Sequence, residues 1–131
     1  MDAKVLSMID HVTISVSNLE HSKRFYEKAF LPLGYKISFG EKGVFWAFDI
    51  GKGLFEISQH NSEGHLTSFH IAFRVGDKSK VQEFYKAALE AGAKDNGVPG
   101  PRPQYTENYY ACFILDPDGH NIETVFDLWN V

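Results

Sequence analysis

The sequence predicts an α+β fold of two tandem β-α-β-β-β modules, with curved mixed sheets enclosing a cleft. Three observations predict it. Short β-branched runs alternate in polarity, amphipathic helical stretches follow two of those runs, and the second half of the chain repeats the first. His11, Val16, Phe25, Tyr26 and Ala29 return 59 positions later as His70, Val75, Phe84, Tyr85 and Ala88. Asp49 and Glu56 return 67 positions later as Asp116 and Glu123. So many identities in two constant registers point to an internal duplication.

In order along the chain, Ile9–Val16 places Val12, Ile14 and Val16 on one face and His11, Thr13 and Ser15 on the other, the pattern of a half-buried strand. Ser17 or Asn18 offers an N-cap, and helical spacing runs from Leu19 to about Leu31, where Pro32 and Gly34 close it. Strands are expected at Tyr35–Phe39, Val44–Phe48 and Leu54–Ser58, parted by turns at Gly40–Gly43 and Asp49–Gly53. Asn61–Gly64 reads as a linker. Phe69–Val75 is the strand that opens the second module, and Lys78–Ala91 is its helix, stopped by Gly92. Asp95–Asn108, rich in Gly and Pro, is expected to be a loop that absorbs the extra residues between the copies. The turn Asp116-Pro117-Asp118-Gly119 then feeds the last strand. The whole chain reads as a single domain, residues 1–131, with module 1 at about 7–60 and module 2 at about 66–128.

Composition narrows the function classes. The 131 residues are 44% hydrophobic and 15% aromatic, enough to bury a core. A net charge of −4 without a basic block argues against nucleic acid and anionic membranes as partners. No apolar run reaches the roughly 20 residues of a membrane span. Met1–Met8 lacks the pattern of a signal peptide, and the single cysteine, Cys112, precludes an internal disulfide framework, so a cytoplasmic location is expected. Cys112, between Ala111 and Phe113, reads as a small core hydrophobe.

The duplication singles out His11, Glu56, His70 and Glu123. Each opposes apolar neighbours in its strand, so the apolar parity packs under a helix and the His and Glu side chains share the other face. A lone strand His is more often a hydrogen-bonded structural residue than a ligand, and a lone strand Glu usually faces solvent. Four at duplicated positions with matching parity reverse that preference. Two imidazoles and two carboxylates suit Zn, Ni, Fe, Mn or Co as a divalent ion and leave coordination positions for water or substrate oxygens. The cleft is therefore expected to be metal-lined. His21, His60, His65 and His120 have no counterpart in the repeat and read as structural, and Asp116 and Asp118 read as turn formers.

Ile9-Asp10-His11-Val12, Phe25-Tyr26, Phe69-His70-Ile71-Ala72-Phe73 and Asp116-Pro117-Asp118-Gly119-His120-Asn121-Ile122-Glu123 together resemble the vicinal oxygen chelate superfamily. That group includes glyoxalase I, bleomycin-resistance proteins, fosfomycin-modifying enzymes and extradiol dioxygenases. The resemblance implies that His11, His70 and Glu123 are metal ligands and that Glu56 stands where glyoxalase I-like members carry a fourth. It implies a metal that chelates neighbouring oxygens of a small-molecule substrate.

The expected activity is a glyoxalase-type lyase or isomerase reaction on a small oxygenated substrate, with Glu123 or Glu56 moving a proton. The alternatives are a non-haem Fe(II) extradiol-type dioxygenase using His11, His70 and Glu123 alone, or a bleomycin-resistance-like protein that binds a drug or metabolite without chemistry. The stretch Gly97–Tyr110 resembles small, poorly characterised members and lacks a clear glutathione-binding set. Arg102, Tyr105 and Tyr109 in that stretch are candidates for substrate contact, as are Thr13, on the His11 face, and Trp46 and Phe113, if these two are equivalent in the repeat. A homodimer is expected, and the sequence leaves open whether the two modules of one chain form one cleft or each site is shared across the dimer.

Overall fold

The computed structural model describes residues 9–61 and 64–128. The first module runs β1 (His11–Val16), α1 (Leu19–Ala29), a 3-10 turn at Leu31–Leu33, β2 (Lys36–Glu41), β3 (Phe45–Asp49) and β4 (Leu54–Gln59). The second runs β5 (His70–Arg74), α2 (Lys78–Glu90), β6 (Lys94–Pro101), β7 (Tyr110–Leu115) and β8 (Asn121–Phe126). The expectations for Met1–Met8, and for Ser62 and Glu63 of the linker, lie outside the described residues. No helix among those residues is long and apolar enough to cross a membrane.

Each module forms one open, curved four-stranded sheet, in the orders β1-β4-β3-β2 and β5-β8-β7-β6. The outer strands β1 and β5 pair parallel with β4 and β8, and the remaining pairs are antiparallel hairpins. The helix in each module leads from the outer parallel strand to the strand at the opposite edge of the sheet, β1 to β2 and β5 to β6, and covers one face on the way. Asn18, rather than Ser17, caps α1 by accepting from the His21 amide at 3.1 Å, and Asp77 caps α2 through the Lys80 amide at 3.0 Å.

The two helix-covered faces share one core. Phe30 lies at its centre, its ring 5.2 to 5.6 Å from Tyr35, Phe48, Phe55 and Phe73, so it joins elements of both modules. Phe84 and Val81 of α2 enter the same core, as do Cys112, Ile114 and Ile122. Cys112 is fully buried, 3.6 Å from the Val81 carbonyl, and burial raises its thiol pKa, consistent with a packing role.

Three polar bridges reinforce the junction. The Tyr26 hydroxyl donates to Asp116 at 2.5 Å, the Ser17 amide donates to Asp118 at 3.0 Å, and His120 Nε2 donates to the Ser15 carbonyl at 2.8 Å. His120 Nδ1 accepts from the Phe69 amide at 3.0 Å, which fixes that tautomer. Its structural reading stands. Asp116 and Asp118 shape the turn as expected and also tie module 2 to module 1.

Two sequence expectations need correction. Gly40 and Glu41 continue β2, so that turn begins at Lys42. Asp95–Pro101 is not loop but most of β6, a strand at the outer edge of its sheet. Its register with β7 shifts between Asp95 and Gly97 and again between Gly97 and Gly100. An edge strand with bulges tolerates Pro99 and Pro101, because one row of its backbone groups needs no ladder partner.

Candidate metal centre

Strand parity turns His11, Thr13 and Glu56 to the helix-free face of the first sheet, and His70, Ala72, Asn121, Glu123 and Phe113 to the matching face of the second. In the second sheet Ala72, Glu123, Phe113 and Gly97 form one row across four strands.

The strongest polar arrangement lies on that second face. His70 Nδ1 sits 3.0 Å from the Asn121 carbonyl, which can only accept, so Nδ1 carries the proton. His70 Nε2 then points at Glu123 Oε1, 3.0 Å away. In a neutral imidazole that would set a lone pair against a carboxylate, so the contact calls for a cation: a second proton on the ring or a metal ion. Two cis ligands of an octahedral ion, each at about 2.1 Å, stand about 3.0 Å apart, so the pair also suits a metal. A ligating imidazole held through its other nitrogen by a carbonyl is the usual supporting arrangement.

Glu123 is 2% exposed, and its second oxygen accepts from the Tyr109 hydroxyl at 2.5 Å. Burial, then the hydrogen bond to Glu123 and its charge, push the Tyr109 pKa far up, so the phenol stays a donor. Tyr109 therefore holds Oε2 and leaves Oε1 facing His70. Asn121 Oδ1, on the same face, is buried without a hydrogen-bond partner among the described residues.

The first face repeats the pattern more openly. His11 Nδ1 is 2.8 Å from Asp10 Oδ1, leaving Nε2 available, and this hydrogen bond, followed by the charge of Glu56, raises the His11 pKa. Glu56 Oε1 accepts from Thr13 at 2.9 Å. Thr13 thus lies beside the candidate ligands, as its parity predicted.

Within one chain, however, the two pairs do not meet. No three His, Cys, Asp or Glu side chains among the described residues are grouped closely enough to hold a metal ion. The helix-covered faces of both sheets are joined in the common core, which turns both ligand faces outward. The sequence leaves open whether one chain closes the cleft or a dimer shares it, and among the described residues of one chain the four candidate ligands are not brought together.

Trp46 also leaves the candidate set. The turn between β3 and β4 holds four residues, Ile50–Gly53, whereas that between β7 and β8 holds five, Asp116–His120. The extra residue makes Phe113 the counterpart of Ala47, opposite Glu56. Trp46 faces α1 instead, donating to Glu20 at 3.2 Å with the Lys23 ammonium 4.6 Å over its ring. Phe113 is on the ligand face, its ring stacked 6.1 Å from His70. Tyr105 packs edge-on against Tyr109 at 5.0 Å, and Arg102 lies 5.5 Å above Phe113. Sequence reading missed Asp10, Asn121 and the Tyr109–Glu123 bond. Asp10 and Asn121 adjoin or pair with duplicated histidines, but nothing local signals the third.

The sequence model of the Glyoxalase/Bleomycin resistance protein/Dioxygenase superfamily matches residues 8–124. The chain belongs to this superfamily. It is 32% identical over 120 residues, 88% of its length and 77% of the relative's, to the metallothiol transferase FosB of Shouchella clausii (strain KSM-K16). A glyoxalase/bleomycin resistance protein from Albidiferax ferrireducens T118 superposes with a TM-score of 0.80 at 25% identity, covering 92% of this chain and 100% of that one. Lactoylglutathione lyase from Agrobacterium tumefaciens gives 0.73 at 19% identity, covering 95% and 97%, and speaks to the fold alone. Superfamily membership confirms the resemblance read from the His-x-Ala-Phe and Asp-Pro-Asp-Gly segments. The relatives carry more than one chemistry in their names, so kinship alone does not fix the reaction.

Proposed function

We propose that this chain is a metal-dependent enzyme of the glyoxalase type, a lyase or isomerase acting on a small oxygenated substrate. The observation that carries the reading is the His70 Nε2–Glu123 Oε1 contact of 3.0 Å, with the far side of each group already held by Asn121 and Tyr109. His70 and Glu123 would hold the ion with His11, and Glu56 would serve as fourth ligand or base. Because the two pairs face outward from a shared core, a second copy of the chain would supply His11 and Glu56 to the His70–Glu123 half of each centre.

A bound divalent ion would act as a Lewis acid, polarising a substrate carbonyl and acidifying the adjacent C–H. The residues of the chain perform the rest. Tyr109 keeps Glu123 oriented and one of its oxygens capped. Thr13 donates to Glu56 Oε1, leaving Oε2 to take a proton from substrate carbon and return it to a neighbouring one. A second reading is addition of a thiol to an electrophilic substrate, favoured by the 32% identity to the metallothiol transferase.

Mixing two inactive variants tests the assembly and the metal together. His11→Ala and His70→Ala chains, each weak in Zn²⁺ or Ni²⁺ binding alone, are co-refolded and titrated with the metal. With random pairing, about a quarter of the centres in the mixture regain every ligand. If wild type binds the metal but the mixture binds no more than its components, the shared centre is wrong. If wild type shows neither bound metal nor a melting-temperature rise with added metal, the enzyme reading loses its basis.

A further inference from the structure

We infer that Thr106 and Asp127 form a clasp that positions Tyr109, and through Tyr109 fixes which oxygen Glu123 presents to a metal ion. The inference rests on the metal-centre reading of Glu123 and adds two positioning residues outside it. Tyr109, Ala111 and Phe113 share the helix-free face of the second sheet with Glu123, Val125 and Asp127. Phe113 pairs with Glu123, Ala111 with Val125, and Tyr110 with Phe126, so the same register carried one step further sets Tyr109 opposite Asp127.

The Tyr109 hydroxyl nevertheless donates to Glu123 Oε2, at 2.5 Å. Four residues of strand lie between the two rows, about 14 Å at about 3.4 Å per residue. The phenol and the carboxylate must therefore extend toward each other along the sheet, over the Ala111–Val125 row. Those two residues are 0% and 7% exposed, although this is the helix-free face, and both are small enough to pass a ring above them. A tyrosine laid along a sheet is a long lever, and its tip is only as well placed as its root.

The root belongs to a loop closed on itself. The Arg102 amide donates to the Tyr109 carbonyl at 2.7 Å, the Tyr105 amide to the Arg102 carbonyl at 3.0 Å, and the Tyr109 amide to the Thr106 carbonyl at 3.2 Å. Two of its side chains reach β8 and its extension. One is Tyr109, and the other is Thr106, whose hydroxyl donates to Asp127 Oδ2 at 2.6 Å. Asp127 is 8% exposed, and its Oδ1 accepts the Leu128 amide at 2.7 Å, so the acceptor is fixed. A short hydrogen bond to a buried carboxylate is of the stronger, charge-assisted kind. Tyr105 steadies the ring edge-on from the same loop. With the root clasped, the phenol occupies Oε2 and leaves Oε1 for an ion; with the clasp open, both oxygens become available.

The test titrates the full chain with Co²⁺, whose visible absorption reports the number of coordinating atoms. Thr106→Val and Asp127→Ala should each weaken Co²⁺ binding about tenfold or more and alter the spectrum, while Thr106→Ser, which keeps the hydroxyl, retains both. In a Tyr109→Phe background Thr106→Val should cost no further affinity, because the clasp acts through Tyr109. A lower melting temperature with spectrum and affinity unchanged marks a purely structural bond and overturns the inference. So does an undiminished loss in the Tyr109→Phe background. A second arm needs no metal: the NMR shift of the Tyr109 ring carbon that bears the hydroxyl should move in Thr106→Val toward that of a free phenol. If wild type binds no Co²⁺, the metal-centre reading fails, and this arm alone decides the clasp. An unmoved shift overturns it.

Discussion

The Tyr26 hydroxyl donates to Asp116 across 90 residues of chain, in a fully buried bond of 2.5 Å. Asp116 also accepts the Asp118 and His120 amides at 2.9 Å each, so the turn of one module is secured by a side chain of the other. Burial, followed by the charge of Asp116, drives the Tyr26 pKa well above its usual value, and the phenol stays protonated as a donor.

Tyr26→Phe should therefore destabilise the fold by about 1.5–3 kcal/mol, the cost of removing a donor from a buried charged acceptor. Urea unfolding measures it. A change below about 0.5 kcal/mol, the range of neutral surface substitutions, would show that the bond contributes no net stability.

Phe30→Ala should cost about 3–5 kcal/mol, because its ring touches core aromatics from both modules and no single neighbour can collapse into the space. Two-state unfolding with a lowered midpoint is the expected result. Separate transitions would mean that the modules do not share a cooperative core.

Asp77 provides a pH-dependent test. The Ser79 hydroxyl, then the Lys80 amide, hold its pKa below the usual aspartate value. A depressed folded pKa contributes stability above the unfolded value of about 3.9 and loses it as pH falls through the folded value. Asp77→Asn, which keeps the cap but not the charge, should melt below wild type at pH 7. The two melting temperatures should converge below about pH 4. A constant gap from pH 7 to pH 3 would assign the loss to something other than this carboxylate.

Glu56→Gln separates a four-ligand centre from a three-ligand one. The apo-protein should melt within about 0.5 kcal/mol of wild type, since Glu56 is half-exposed and the amide oxygen can still accept from Thr13. Metal affinity should fall about tenfold or more, read as a smaller rise in melting temperature at fixed Zn²⁺. An unaltered rise would remove Glu56 from the ligand set.

Much of this molecule was legible in the sequence because the duplication makes each reading count twice. Parity in short strands placed His11, Glu56, His70 and Glu123 on helix-free faces, and the structure agrees. The strand at Lys94–Pro101 was hidden by its Gly and Pro content, which at a sheet edge marks bulges rather than loop. Trp46 was misplaced because parity propagates a one-residue error into a change of face. The outward direction of both ligand faces was not legible at all. It depends on which faces of the two sheets share the core, and no local pattern encodes that choice.

The one-residue excess of the β7–β8 turn also bears on descent. Its shorter counterpart leaves Asp49 exposed, where among the described residues it receives the nearby Gly51 amide at 2.8 Å. A half-length ancestor pairing two identical first modules would offer Tyr26 no inward-turned carboxylate, and the phenol would lack this partner in a dry core. The extra residue thus makes the two halves unequal at this contact. The halves are therefore not interchangeable: the Tyr26 phenol depends on the turn of module 2, and a pair of first modules would leave it without that partner.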